Sequence, residues 1–323
     1  MAEEAAKKTA AKKTTAAAKE AAAAKASDEA EEPAAGWKPT PEAKAKATQL
    51  RIIAIVLWVI AIIAEAFGIF WLLRQRQLAV TAGESTTITR DESTGLLVEQ
   101  SATYEFPQWA FITLIVLLVV IAALSITGSL LWKKANRLDP ASRKDTVRFF
   151  VQNQLGAMIA ILAFLPLIIM VLLNKDMSKG QKTIAGVVGG VLAVASVALG
   201  ISYQPPSTEQ YTAEQSAVIQ LLGKDEVHWV AGGSVYHVCA DVPDITGASS
   251  EASVGTTADA IAAGKSRLTL ELESELTACN LPVPENIDDI VAALREIRDG
   301  ATDTVLPLPE YADGVTPPFT AGS

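Results

Sequence analysis

Four stretches that carry almost no charge decide what this chain can fold into. Residues 51 to 73, 109 to 132, 150 to 173 and 183 to 203 are apolar, each over roughly the ~20 residues an α-helix needs to cross a bilayer. From Ile52 to Leu73 the only charged residue is Glu65. Buried helices of soluble proteins rarely run so long without charge, because one face normally meets water. The expected fold class is therefore membrane all-α: a four-helix transmembrane bundle over 51–203. No apolar segment with the flanks of a removable signal peptide precedes residue 51, so the first span is expected to serve also as the insertion signal.

Orientation follows from the basic residues, which are retained on the cytoplasmic side when they lie in short loops. Between the second and third spans stand Lys133, Lys134, Arg137, Arg143, Lys144 and Arg148, six in sixteen residues. The first loop, thirty-four residues from Arg74 to Pro107, holds only Arg74, Arg76 and Arg90. Loop two is expected inside and loop one outside, with Lys38, Lys44, Lys46 and Arg51 adding to the inner charge and Lys175, Lys179 and Lys182 opposing it. Trp71 and Trp109 then fall at the outer headgroup level and Trp132 at the inner one, where an indole is well placed. Four spans put both termini in the cytoplasm of a multi-pass plasma-membrane protein. The last span, rich in Gly and Ala, is the least lipophilic of the four.

Outside the bundle the composition changes. Residues 1–50 repeat Ala and Lys and turn acidic at Ser27-Asp-Glu-Ala-Glu-Glu-Pro33, nine Lys against eight acids; such a segment has little from which to build a core and reads as a disordered tail. In loop one, Thr86 to Glu99 sets two β-prone runs around a turn, the pattern of a hairpin. After Tyr203 a Gln-Pro-Pro-Ser linker opens an acidic domain, expected over 204–305 and followed by a disordered tail, 306–323. Across 204–323 five basic residues face nineteen acidic ones, leaving −14. That charge disfavours nucleic acid and favours a protein partner with a basic surface, or a larger membrane complex. A small α+β fold is expected, with a helix from 209 to 222 stopped by Gly223, strands at 227–230 and 234–238, a short helix between Thr256 and Gly264, and an amphipathic helix from Ile287 to Arg298 stopped by Gly300.

Few residues offer chemistry. Glu65 lies near the middle of a span, where an ionised carboxylate costs at least ~2.5 kcal/mol, so it is expected to face the bundle and to find a polar partner such as Ser125, Thr127, Ser129, Gln152, Asn153 or Gln154. Gly186 and Gly190, extended by Ala193, form a small-residue face suited to close helix packing. Pro166 removes a backbone donor within the third span and predicts a kink. His228, His237, Cys239 and Cys279 make a two-His, two-Cys inventory that would suit zinc, but they lack the paired spacing of structural zinc sites. In the cytoplasm both thiols are expected to stay reduced. No metal, no cofactor and no catalytic residue is assigned, since the chain has no nucleophile elbow, phosphate loop or zinc signature.

Val227-His-Trp-Val, Gly233-Ser-Val-Tyr-His-Val-Cys239 and Val254-Gly-Thr-Thr-Ala-Asp-Ala-Ile-Ala-Ala-Gly-Lys-Ser-Arg-Leu-Thr269, with Gln204-Pro-Pro-Ser-Thr-Glu-Gln-Tyr211 before them, resemble a family of uncharacterised actinobacterial four-span membrane proteins. The likeness covers residues 50 to 280. It implies lineage and topology but no activity. Some members close the C-terminal pattern with Cys-x-x-Cys, a zinc knuckle; here Leu268-Thr-Leu-Glu271 stands in its place. The expected function is non-enzymatic, a structural, accessory or interaction subunit presenting an acidic cytoplasmic domain. The alternatives are a small transporter or proton path centred on Glu65, and a metal- or redox-sensing membrane protein using the two histidines and two cysteines.

Overall fold

A computed structural model of the protein describes residues 36–78 and 104–318, together with the backbone pairing of 89–90 and 97–98. The chain from Trp37 onward forms one compact unit. Four helices are long and apolar enough to cross a membrane: α1 (Pro41–Phe70), α2 (Gln108–Leu138), α3 (Thr146–Leu173) and α4 (Lys179–Gly200). The first begins ten residues before the expected span. Thr40 caps it, accepting a hydrogen bond from the Ala43 N–H, and Pro41 occupies its first position, where a missing N–H costs nothing. Ala43 and Ala47 are buried against Ala135 and Leu138 of α2. The expected disordered tail therefore gives way to ordered chain by Trp37; residues 1–35 lie outside the described residues.

The bundle core mixes small side chains with large ones, Leu114, Leu118, Ile121, Phe164 and Leu167 among them. Ala54, Ala61, Ala110, Ala160 and Ala163 are fully buried, while Ile63, Phe70, Leu165 and Leu173 point outward. In α4 the buried positions are Ala185, Gly189, Ser196 and Gly200, a face one residue away from the expected one. Gly190 has nothing within 4 Å of the place a Cβ would take, and Gly186 meets only Leu172 at 3.4 Å. Ala193 does pack, partly buried, against the bundle core. The tightest approach along α4 is at Gly200, where a Cβ would lie 2.6 Å from the Ala157 nitrogen of α3. The helix α3 passes through Pro166 as one continuous element.

Loop one leaves α1 through a short 3-10 turn, Leu72–Arg74, and carries two antiparallel pairs: β1 (Gln77–Leu78) with β4 (Tyr104–Glu105), and β2 (Thr89–Arg90) with β3 (Leu97–Val98). The second joins the two runs expected to form a hairpin; the turn between them lies outside the described residues.

The C-terminal domain runs α5 (Thr208–Leu222), β5 (Val227–Val230), β6 (Val235–Tyr236), α6 (Pro243–Thr246), β7 (Ala252–Gly255), α7 (Thr257–Ala262), β8 (Arg267–Leu268), α8 (Leu272–Ala278) and α9 (Ile287–Asp299). The expected helices and both strands are present; β7, β8, α6 and α8 were not anticipated. β5 pairs antiparallel with β7, and β6 pairs parallel with β8. Helix ends fall at glycines: Gly223 and Gly300 take φ of 73° and 122°, a region that L-residues with side chains avoid. The core gathers Tyr211, Val218, Leu221, Trp229, Tyr236, Leu268, Leu272, Leu276, Ile290 and Leu294. Trp37, which precedes the first span, belongs to that same core and meets Tyr211 edge-on at 4.8 Å.

The expected tail after residue 305 is instead laid on the domain as far as Pro318. The Glu285 N–H donates to the Glu310 carbonyl at 2.7 Å, Asn286 Nδ2 to the Leu308 carbonyl at 2.8 Å, and the Glu310 N–H to Asn286 Oδ1 at 2.9 Å. This Pro-rich segment forms no helix or strand, but its backbone groups find partners in the turn that leads into α9.

Candidate functional site

The domain meets the bundle through loop two. Arg143 donates from Nη1 to the Ile297 carbonyl at 2.9 Å and from Nη2 to the Arg298 carbonyl at 3.1 Å. It thus caps the C-terminal end of α9, where unpaired carbonyls favour a cation. Glu209, in the first turn of α5, accepts from the Arg143 N–H at 2.9 Å and from the Ser142 hydroxyl. Burial alone would raise the Glu209 carboxyl, but these bonds outweigh it and hold it below its ordinary value. The Tyr211 hydroxyl reaches the Arg137 carbonyl at 3.2 Å, and the Trp37 N–H donates to Thr212 Oγ1 at 3.0 Å. Four separate segments, 37, 137–143, 207–212 and 297–298, are locked into one joint.

Behind the joint is a buried carboxylate that sequence reasoning missed. Glu214 is 1 % exposed and accepts from Gln210 Nε2 at 3.0 Å, the Tyr236 hydroxyl at 2.6 Å, the Leu268 N–H at 3.0 Å and Arg298 Nη2 at 3.0 Å. Arg298 also donates to the Leu268 carbonyl at 2.8 Å. With four donors around it, the carboxylate ties α5 to β6, β8 and α9. Burial and this neighbour raise the Tyr236 phenol well above its ordinary value, so Tyr236 stays a donor. The signal was in the sequence: Tyr211, Glu214, Val218 and Leu221 share one helical face, and a carboxylate on an apolar stripe requires a cation within the fold.

The His and Cys residues come together, but not as a ligand set. The backbones of His228 and His237 exchange two hydrogen bonds of 2.8 Å across β5 and β6. His237 Nδ1 lies 2.7 Å from Glu275 Oε1, and the other oxygen of Glu275 accepts from the Val238 N–H at 2.9 Å. That hydrogen bond raises the His237 imidazole above its ordinary value against the opposing effect of burial, whereas burial lowers His228. Two residues beyond His237, Cys239 is joined to Cys279 in a disulfide, with Cα atoms 5.9 Å apart. The expectation of two separate reduced thiols is corrected here. The parallel β6–β8 pair and the Glu275 contacts bring α8 beside the strand, so cysteines forty residues apart in sequence meet. Among the described residues no cluster of three or more His, Cys, Asp or Glu is placed to hold a metal ion.

Within the bundle, Glu65 is buried as expected, at 5 % exposure. Its Oε1 has no hydrogen-bond partner, and neither does Ser125 Oγ. Of the other expected polar partners, Ser129, Gln152 and Asn153 are occupied elsewhere. Ser129 bonds the Ser125 carbonyl and Asn153 the Phe149 carbonyl, while Gln152 exchanges bonds with Asn136 and donates to the Asp139 carbonyl. Arg51 pairs with Asp139 at 2.6 Å. The Arg51–Asp139 pair and the bonds of Gln152 to Asn136 and Asp139 fasten the domain-bearing ends of α1, α2 and α3 to one another and leave Glu65 apart from them. No protein-family model matches the chain, and neither a curated protein nor a solved structure matches it.

Proposed function

We propose that this protein is a non-enzymatic interaction subunit of the plasma membrane, whose four spans hold an acidic domain at the cytoplasmic face for a protein partner with a basic surface. The observation behind this reading is the joint itself. A domain tethered only by a linker could be presented without Arg143 capping α9 or Trp37 entering its core; this one is fixed in orientation, as a docking platform requires. Exposed acids lie on adjacent helices α8 and α9 and between them, at Glu273, Glu285, Asp288, Asp289 and Glu296. The basic character of loop two supports the cytoplasmic side. Transport through Glu65 finds less support, because Gln152 bonds to Asn136 while Asn153 and Ser129 bond to carbonyls of their own helices.

The test is a purification of the full chain in mild detergent beside a charge-reversed variant, Glu273→Lys/Glu285→Lys/Asp288→Lys. A partner that elutes with salt and is lost from the variant is the expected result. Retention of the same proteins by both forms, or ion flux in vesicles abolished by Glu65→Gln, would contradict it.

A redox-responsive reading is favoured by one observation, the Cys239–Cys279 bond. On the cytoplasmic side a disulfide stands against a reducing pool, so its formation and opening would change how α8 is fastened to β6, beside the acidic surface. Quantifying the oxidised fraction in cells before and after a thiol oxidant tests this: an oxidised fraction that does not change excludes a switch.

A further inference from the structure

The structure assigns a binding site for an anionic phospholipid to the joint between bundle and domain. A cavity of about 620 Å³ opens there, walled by Lys133, Arg137, Arg267, Arg298 and Tyr203, with no carboxylate among its described lining residues. On the other side of Lys133 and Arg137 a second cavity of about 440 Å³ adds Lys46 and Lys134, again without an acid. This is unexpected beside a domain whose net charge is −14. Two of the arginines are not spent on protein carboxylates. Arg298 is neutralised by Glu214, and Lys133 donates to the Ile201 carbonyl at 2.6 Å, but Arg137 and Arg267 are exposed and no ion pair engages their guanidinium groups among the described residues. Planar guanidinium groups match phosphate oxygens in pairs.

Position and shape select a lipid over a soluble anion. The cavity lies where α2 leaves the bundle and α4 ends, at the level of headgroups if the apolar spans lie in the bilayer. Ile201 and Tyr203 line it, and the same two residues close one end of a groove of about 320 Å³ between α3 and α4. The groove is apolar, formed by Leu165, Ile168, Val194 and Ala198 among others. A basic chamber continuous with an apolar furrow fits a phosphate with an acyl chain attached. A free phosphate would use only the first half.

Native mass spectrometry of the full chain, released from nanodiscs containing equal phosphatidylglycerol and phosphatidylcholine, tests the assignment. Phosphatidylglycerol should be retained preferentially, and Arg137→Gln/Arg267→Gln should reduce that preference by roughly thirtyfold. Ala198→Phe, which fills the furrow and leaves the arginines intact, should lower retention as well. Lys144→Gln, which removes a loop-two charge that lines neither cavity, should not, and thermal unfolding in detergent reports whether each variant is folded. Equal retention of both lipids would overturn the site. So would protection of the delipidated protein by inorganic phosphate together with no effect of Ala198→Phe, since that combination describes a soluble-anion pocket.

Discussion

The bundle and the C-terminal domain present opposite outer faces within one compact unit. Both bury large apolar side chains, but the bundle sets alanines and glycines among Leu114, Leu118, Ile121, Phe164 and Leu167 and turns a second set of isoleucines, leucines and phenylalanines outward, while the domain buries two tyrosines, two tryptophans and a set of leucines and turns carboxylates outward. Lipid tails are as apolar as leucine, so large side chains gain nothing by leaving them, and helices associate through close contact of small residues. In water the gain comes from removing apolar surface, about 25 cal/mol per Å². The same contrast governs their buried carboxylates. Glu214 has four donors and fastens four elements, whereas Glu65 has an oxygen without a partner.

The sharpest break in this comparison is Glu214→Ala. Removing it strands the Arg298 charge and the Tyr236 hydroxyl in the core, and breaking a buried pair from one side costs about 3–5 kcal/mol. Thermal unfolding of the full chain should show the domain transition lowered while the helicity of the spans persists. Loss of both together would mean that the bundle depends on the domain for its own fold.

Next in size is reduction of Cys239–Cys279, which closes a loop of about forty residues and should lower domain stability by about 2–4 kcal/mol, with the bundle again unchanged. An equal effect of reductant on a Cys239→Ser/Cys279→Ser variant would show that the bond is not its target.

Within the bundle, Gly200→Val should separate α3 from α4, since its side chain would start 2.6 Å from a backbone nitrogen, a misfit costing on the order of 1–3 kcal/mol. Gly190→Ala, ten residues earlier, should change stability by no more than about 0.5 kcal/mol because open space surrounds it. Cross-linking yields between cysteines introduced in α3 and α4 report both. If the two glycines behave alike, the buried face of α4 has been placed incorrectly.

A smaller effect concerns pH. Hydrogen bonding to Glu275 raises the His237 value above 6.5 in the folded domain, with burial opposing and the charges of Glu275, Asp244 and Glu271 adding to it. The stability this contributes is fully present below the unfolded value and is lost as pH rises through the raised one. The domain melting temperature should therefore fall across that window above about pH 6.5, and His237→Gln should flatten the fall. An identical pH profile in the variant would remove His237 from the account.

How much of this was legible beforehand follows the same division. Four apolar runs read directly as helices because lipid solvates a whole cylinder, and Gly223, Gly264 and Gly300 marked where domain helices stop. What stayed hidden depends on contacts between distant segments. Gly186-x-x-x-Gly190 suggested a packing face, but the period of a helix allows Ala185-x-x-x-Gly189 equally, and only the positions of Ile168 and Leu118 select the latter. Trp37 sat in a segment whose composition is that of a tail, and its place in the domain core depends on α5 folding back beneath it. The Cys239–Cys279 pairing rests on a parallel two-strand contact of two residues, β6 with β8, far too short to leave a sequence pattern.

The central claim, that the acidic domain is held against the bundle on the cytoplasmic side, is tested most directly by thiol labelling from outside intact cells. One cysteine is introduced in loop one at Ser93 and, separately, one at the exposed Ser249 of the domain, with the unaltered chain as the blank. A membrane-impermeant maleimide should label the Ser93 site in intact cells and the Ser249 site only after the membrane is opened. Labelling at Ser249 in intact cells would place the domain outside, where its disulfide would be at home and loop two's positive charges would not.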